Sequence, residues 1–129
     1  MAMAMAKAGL LMFAHGARDA RWALPFEQVV TRVQAARPAT PVRLAFLEFM
    51  APDIRTAATE LVLEGCTRID VLPLFLGAGG HVRKDLPPLL DELRMHHGGV
   101  AFTLHLAVGE APALIATMAD IALDLPTMP

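Results

Sequence analysis

The sequence predicts an α/β domain, a parallel sheet with helices on both faces. Two observations carry that expectation. Four short apolar or alternating stretches recur along the chain, each followed by a segment with helical spacing, in a unit of about thirty residues. The 129 residues are 55% apolar and only 19% charged, which is enough to bury one core at a common domain size. We read 1–129 as one domain, with 1–7, the Met-Ala repeat and Lys7, as a flexible leader into the first strand.

The strands are expected at Gly9 to Ala14, Val42 to Glu48, Arg68 to Leu76 and Ala101 to Leu106. The first helix carries Trp22, Phe26, Val29, Val30 and Val33 on one face and ends at Arg37-Pro38. The second carries Ile54, Ala57, Ala58, Leu61 and Val62, with Pro52-Asp53 as its start signal and Gly65 as its stop. The third holds Leu86, Leu89, Leu90 and Leu93, and Pro87-Pro88 places its first turn there, since prolines are tolerated where no N–H is needed. Gly98-Gly99 lies beyond its end. The fourth presents Leu114, Ile115, Met118 and Ala122 before Pro126. Met12, Met50, Met95 and Met118 are expected as core filler.

Composition removes several classes of function. Eleven basic against 13 acidic residues give a formal charge of -2 with no basic block, so no nucleic-acid partner is expected. No apolar run approaches the roughly 18 to 20 residues that span a bilayer, so no membrane is expected either. The single Cys66 excludes an intramolecular disulfide framework and a Cys-rich zinc site, and suits the cytoplasm. Serine, asparagine and tyrosine are absent, so no serine nucleophile exists.

In open parallel sheets ligands bind outside the carboxyl ends of the strands, where strand order reverses. His15 follows the first strand, Glu48 closes the second and His81 follows the third, at equal separations of 33 residues. With the order 2-1-3-4 of a small flavodoxin-like sheet, the first strand is central and these three residues converge. Two imidazoles and a carboxylate are a ligand set for a divalent first-row metal with coordination positions left open. Arg18 and Arg21 follow His15, and Arg83 and Lys84 follow His81, so the rim suits an anion while the centre suits a metal. A carboxylate-rich tetrapyrrole needs both.

The segments LLMFAHGARD, AFLEFMAPDI and VLPLFLGAGGHVRKDLP resemble three signature blocks of the small sirohydrochlorin chelatases, the single-domain form of the class II cobaltochelatase and ferrochelatase family. The resemblance implies a three-layer α/β/α chelatase-like fold and ATP-independent insertion of Co2+ or Fe2+, with Ni2+ also admitted, into sirohydrochlorin on the path to cobalamin or sirohaem. It implies a homodimer. By matching blocks, metal-binding and catalytic roles fall on His15, His81 and Glu48. From the charge at the rim and the glycines beside His81, substrate contacts are expected at Arg18, Gly79, Gly80, Arg83 and Lys84. Ala17 departs from the pattern, where relatives usually carry Ser.

Other readings stand beside this one. The same ligands would serve a metal or tetrapyrrole carrier that binds without turnover. "FAHGAR" faintly resembles the Arg-His-Gly of histidine phosphatases, but Ala14 stands where that Arg belongs. Gly77, Gly79 and Gly80 would serve equally as a permissive turn, and they do not form a dinucleotide fingerprint, because its third glycine would fall at Val82. His96 and His97 read as residues at a helix carboxyl end, His105 as structural or at the substrate edge, and Glu110 as an acid heading the last helix.

Overall fold

The computed structural model describes residues 6–77 and 79–127, with the side chains of 80–82 outside that description. Its elements in order are β1 (Ala8–Ala14), a 3-10 turn (Ala20–Ala23), α1 (Leu24–Ala36), β2 (Val42–Phe46), α2 (Ile54–Leu63), β3 (Arg68–Pro73), α3 (Gly80–His96), β4 (Ala101–Leu104), a second 3-10 turn (Val108–Glu110) and α4 (Pro112–Leu123). The four strands are parallel, as the alternation of strand and helix predicts, and their order β2-β1-β3-β4 is the flavodoxin-like one expected. No helix among the described residues is long and apolar enough to cross a membrane.

Alternation along the strands sorts the core into two layers. Leu11, Phe13, Ile69, Val71 and Phe102 face α2 and α3, where Ala57, Ala58, Leu61, Leu90 and Leu93 close over them. Cys66 belongs to this layer, and burial raises its thiol pKa, so it is a small core residue. Met12, Ala14, Val42, Phe46 and Leu74 face the other way, against α1 through Phe26, Val30 and Val33.

The second layer is incomplete. α4 was expected to bury Leu114, Ile115, Met118 and Ala122, but none of its residues is buried and its main packing is against the preceding 3-10 turn. An apolar groove of about 730 Å3 remains between α1 and α4, lined by Leu10, Met12, Val29, Leu72, Leu74 and Leu114. Met12 is core and Met50 packs against it, whereas Met95 and Met118 are exposed, so the expectation of core filler holds for only two of the four.

The remaining corrections follow from local hydrogen bonding. Trp22 lies in the 3-10 turn before α1, where Asp19 caps by accepting from the Arg21 N–H. β2, β3 and β4 stop two, three and two residues earlier than expected. Pro73 has no N–H to extend its ladder. α3 begins at Gly80 rather than at Leu86, so Pro87 and Pro88 lie inside it. Those prolines remove the donors to the Arg83 and Lys84 carbonyls, but all four residues are exposed, and water can take the freed acceptors.

α2 starts where the sequence indicates, with the Asp53 carboxylate accepting from the Thr56 N–H at 2.9 Å. That backbone hydrogen bond lowers the Asp53 pKa below its ordinary 3.8. Asp53→Ala should therefore cost about 1 kcal/mol, read as a lower urea midpoint at unchanged slope. The folded-state pKa is depressed, so the contribution is present above pH 3.8 and is lost as pH falls through the folded value. The difference from wild type should shrink below pH 3.8; a constant difference would mean that the cap acts without its charge.

Candidate active site

β1 and β2 are in register at Ala14 and Phe46, so their exits leave the sheet side by side. The two exits are then joined. The Leu47 N–H donates to the Ala14 carbonyl at 2.9 Å, and the Glu48 N–H donates to the His15 carbonyl at 3.0 Å. Gly16 makes this approach feasible: its φ is +90°, and a Cβ there would lie 1.8 Å from the Glu48 carbonyl oxygen. His15 and Glu48 are thus held together at the carboxyl edge of the central strand and its neighbour.

His15 rests on an aromatic floor. Its ring centroid lies 4.3 Å from that of Phe75, tilted by 39°, and Phe75 is buried against Phe13 with centroids 5.8 Å apart. Contact on one face restricts the imidazole's rotation and leaves it half-buried, while Glu48 is exposed. Phe75 also lines a cavity of about 330 Å3 together with Arg83, His105 and Glu110.

His81 sits in the first turn of α3, and its side chain lies outside the described residues. Equal sequence separation does not give equal placement. His15 lies one residue past β1, Glu48 two past β2 and His81 eight past β3, so the third residue arrives on a helix rather than at a strand end. Among the described residues no group of three or more His, Cys, Asp and Glu is close enough to hold a metal ion.

The cations divide. Arg18 lies 4.7 Å over the centroid of the exposed Phe49 ring, and Arg83 stands 3.6 Å from Glu110 across the mouth of the smaller cavity. Lys84 is exposed, the fifth residue of α3. Arg21 is instead turned onto Asp19 at 3.1 Å, and that side-chain contact holds the Asp19 carboxyl below its usual range. Gly79 has an ordinary extended φ of −64° and open space around Gly77 and Gly79, so neither glycine is required by a positive φ or by a close protein neighbour. Gly80 opens α3.

Three residues of the site lie within the quoted segments but receive no role from the sequence. Gly16, Phe49 and Phe75 act through a close approach, a left-handed backbone and a ring stack, none of which follows from residue spacing. Glu110 lies in the 3-10 turn before α4, where it pairs with Arg83 rather than heading the helix. His105 bonds Asp70 through Nε2 at 2.9 Å, in keeping with its structural reading, and the His97 N–H closes the end of α3 on the Leu93 carbonyl.

The CbiX family model matches residues 9–124. The chain belongs to the CbiX family. Among CbiX relatives, the sirohydrochlorin cobaltochelatase of Sulfurisphaera tokodaii is 30% identical over 89 residues, covering 67% of this chain and 70% of that protein. The corresponding protein of Sulfolobus acidocaldarius is 35% identical over 85 residues, covering 65% and 67%. A CbiX protein of cobalamin biosynthesis from Marinobacter aquaeolei superposes with a TM-score of 0.81 at 30% identity, covering 91% of this chain and 95% of that one. The SirB chelatase of Bacillus subtilis subspecies spizizenii, solved with cobalt, shares the fold at a TM-score of 0.79 and 22% identity. This chain covers 51% of its length.

Proposed function

We propose that this CbiX-family chain inserts Co2+ or Fe2+ into sirohydrochlorin without a nucleotide, serving cobalamin or sirohaem synthesis. The observation that carries the reading is the hydrogen-bonded pairing of the His15 and Glu48 loops at the carboxyl edge of β1 and β2, with Arg18 beside them. Relatives named sirohydrochlorin cobaltochelatases supply the reaction.

Metallation exchanges two pyrrole N–H protons for one dication, so the metallated macrocycle keeps the charge of the free one and two protons are released. His15 and His81 hold the arriving ion with open positions toward the macrocycle, and the exposed Glu48 takes the two leaving protons in turn and passes each to water. Arg18, Arg83 and Lys84 hold peripheral carboxylates, the arginines as planar two-donor clamps. A substrate carboxylate would displace Glu110 from Arg83, an exposed pair with little stability to lose. Open space beside Gly77 and Gly79 leaves room for the macrocycle's rim near the backbone.

The test is the absorbance change of sirohydrochlorin with Co2+, Fe2+ or Ni2+, each with and without the protein. Acceleration with at least one metal is expected; rates equal to the uncatalysed reaction with all three would remove the chelatase reading.

The same reading includes a homodimer. Its support is the open groove beside α4 and the exposed Ile115, Met118 and Ile121 at helical spacing on that helix, an apolar surface suited to a second copy. The solved SirB chain, about twice as long as this one, fits the same reading. Light scattering should give twice the 13.8 kDa of one chain, and Ile121→Asp, an exposed position, should return it to one. A wild-type monomer at micromolar concentration would contradict the dimer. The lone buried Cys66 is consistent with cytoplasmic residence.

A further inference from the structure

Phe49 follows Glu48 at the tip of the β2–α2 loop and combines three features that packing does not explain. Its φ is +66°, a left-handed conformation in which a bulky side chain crowds the backbone. The residue is 57% exposed, unlike the buried Phe13 and Phe75, so burial does not offset that strain. The Arg18 guanidinium lies 4.7 Å over its centroid, which ties the loop after β1 to the loop after β2 through one exposed aromatic face.

The surrounding hydrogen bonds leave the loop little freedom to relax. Leu47 and Glu48 donate to the Ala14 and His15 carbonyls, and the Met50 N–H donates to the Glu48 carbonyl at 2.8 Å. Strain held in place by its surroundings is characteristic of ligand sites. Leu47, Leu76 and Leu106, all exposed, lie just beyond the carboxyl ends of β2, β3 and β4, so the same edge carries apolar surface with cations around it. A ligand with a flat apolar face and a carboxylate rim is the complement of that surface.

We propose that Phe49 is a substrate-positioning residue whose ring stacks on the face of the tetrapyrrole, steered by Arg18, so that the pyrrole nitrogens lie over His15 and Glu48. The inference rests on the tetrapyrrole reading of this site. It assigns the strained backbone of Phe49 to function, since glycine or asparagine would hold the same turn more easily.

The experiment compares wild type with Phe49→Gly and Phe49→Trp by metal-free absorbance titration of sirohydrochlorin, thermal melting, and separate KM and kcat. Phe49→Gly should keep or raise Tm while weakening sirohydrochlorin binding about tenfold, and KM should rise with it. Phe49→Trp should keep binding within about threefold of wild type, because a flat ring remains. Unchanged binding in Phe49→Gly beside a wild type that binds would overturn this assignment alone. A Phe49→Gly protein that melts well below wild type, with Phe49→Trp binding as poorly as the glycine variant, would show a structural role and also overturn it. A wild type that binds no sirohydrochlorin would remove the reading of the site together with the inference.

Discussion

His15→Ala should lose more than about 100-fold in metal insertion, beyond what loss of a residue that merely orients a ligand costs, while the domain stays folded. The imidazole is half-buried with one face against Phe75, so its removal opens space at the surface rather than a cavity in the core. Thermal melting should therefore shift by only a few degrees, on the scale of about 1 kcal/mol. His81→Ala, in the first turn of α3, should lose insertion activity to the same extent. Glu48→Gln keeps shape and removes the proton acceptor, and kcat should fall on the order of 10²- to 10⁴-fold. Near-wild-type turnover in any of the three would take that residue out of the mechanism.

Gly16→Ala should be the most damaging single methyl in the site. A Cβ at 1.8 Å from the Glu48 carbonyl oxygen requires the loops to part, and the atom in the way is backbone, with no rotamer to change. The φ of +90° adds a penalty for any L side chain. Parting the loops breaks the Glu48 N–H to His15 carbonyl bond and moves the two side chains proposed for the chemistry relative to each other. A misplacement of about 1 Å is enough to cost roughly 100-fold in rate, so activity should fall by at least that much. The conformational penalty and the lost hydrogen bond together should cost about 2 to 4 kcal/mol of stability. Circular dichroism melts and insertion rates measured on one preparation check both. An alanine variant with wild-type rate would mean that the close approach of the loops is irrelevant to function.

The sheet was legible because its strands are apolar runs between helix signals; helical crossovers make it parallel, while the order 2-1-3-4 came from the usual arrangement of small flavodoxin-like sheets. His15 and Glu48 were legible for the same reason: each ends a strand on neighbouring positions of that order. The start of α3 was not, because Pro87-Pro88 reads as a first turn when water-exposed carbonyls can in fact tolerate prolines farther in. The openness of α4 was hidden as well, since a run such as Leu114, Ile115 and Met118 has the same spacing whether it packs on its own sheet or awaits a partner. Gly16 and Phe49 escaped because their roles lie in backbone dihedrals and in a contact between loops about 33 residues apart, which no local pattern encodes.

The central claim is that this site turns over rather than only binds. The decisive measurement supplies sirohydrochlorin and Co2+ in tenfold molar excess over the protein and counts metallated product per chain, with the uncatalysed rate subtracted. Catalysis predicts conversion of nearly all the macrocycle, close to the full tenfold excess per chain, released free of the protein. Product that stops at one equivalent and stays bound would contradict the chelatase and leave a carrier.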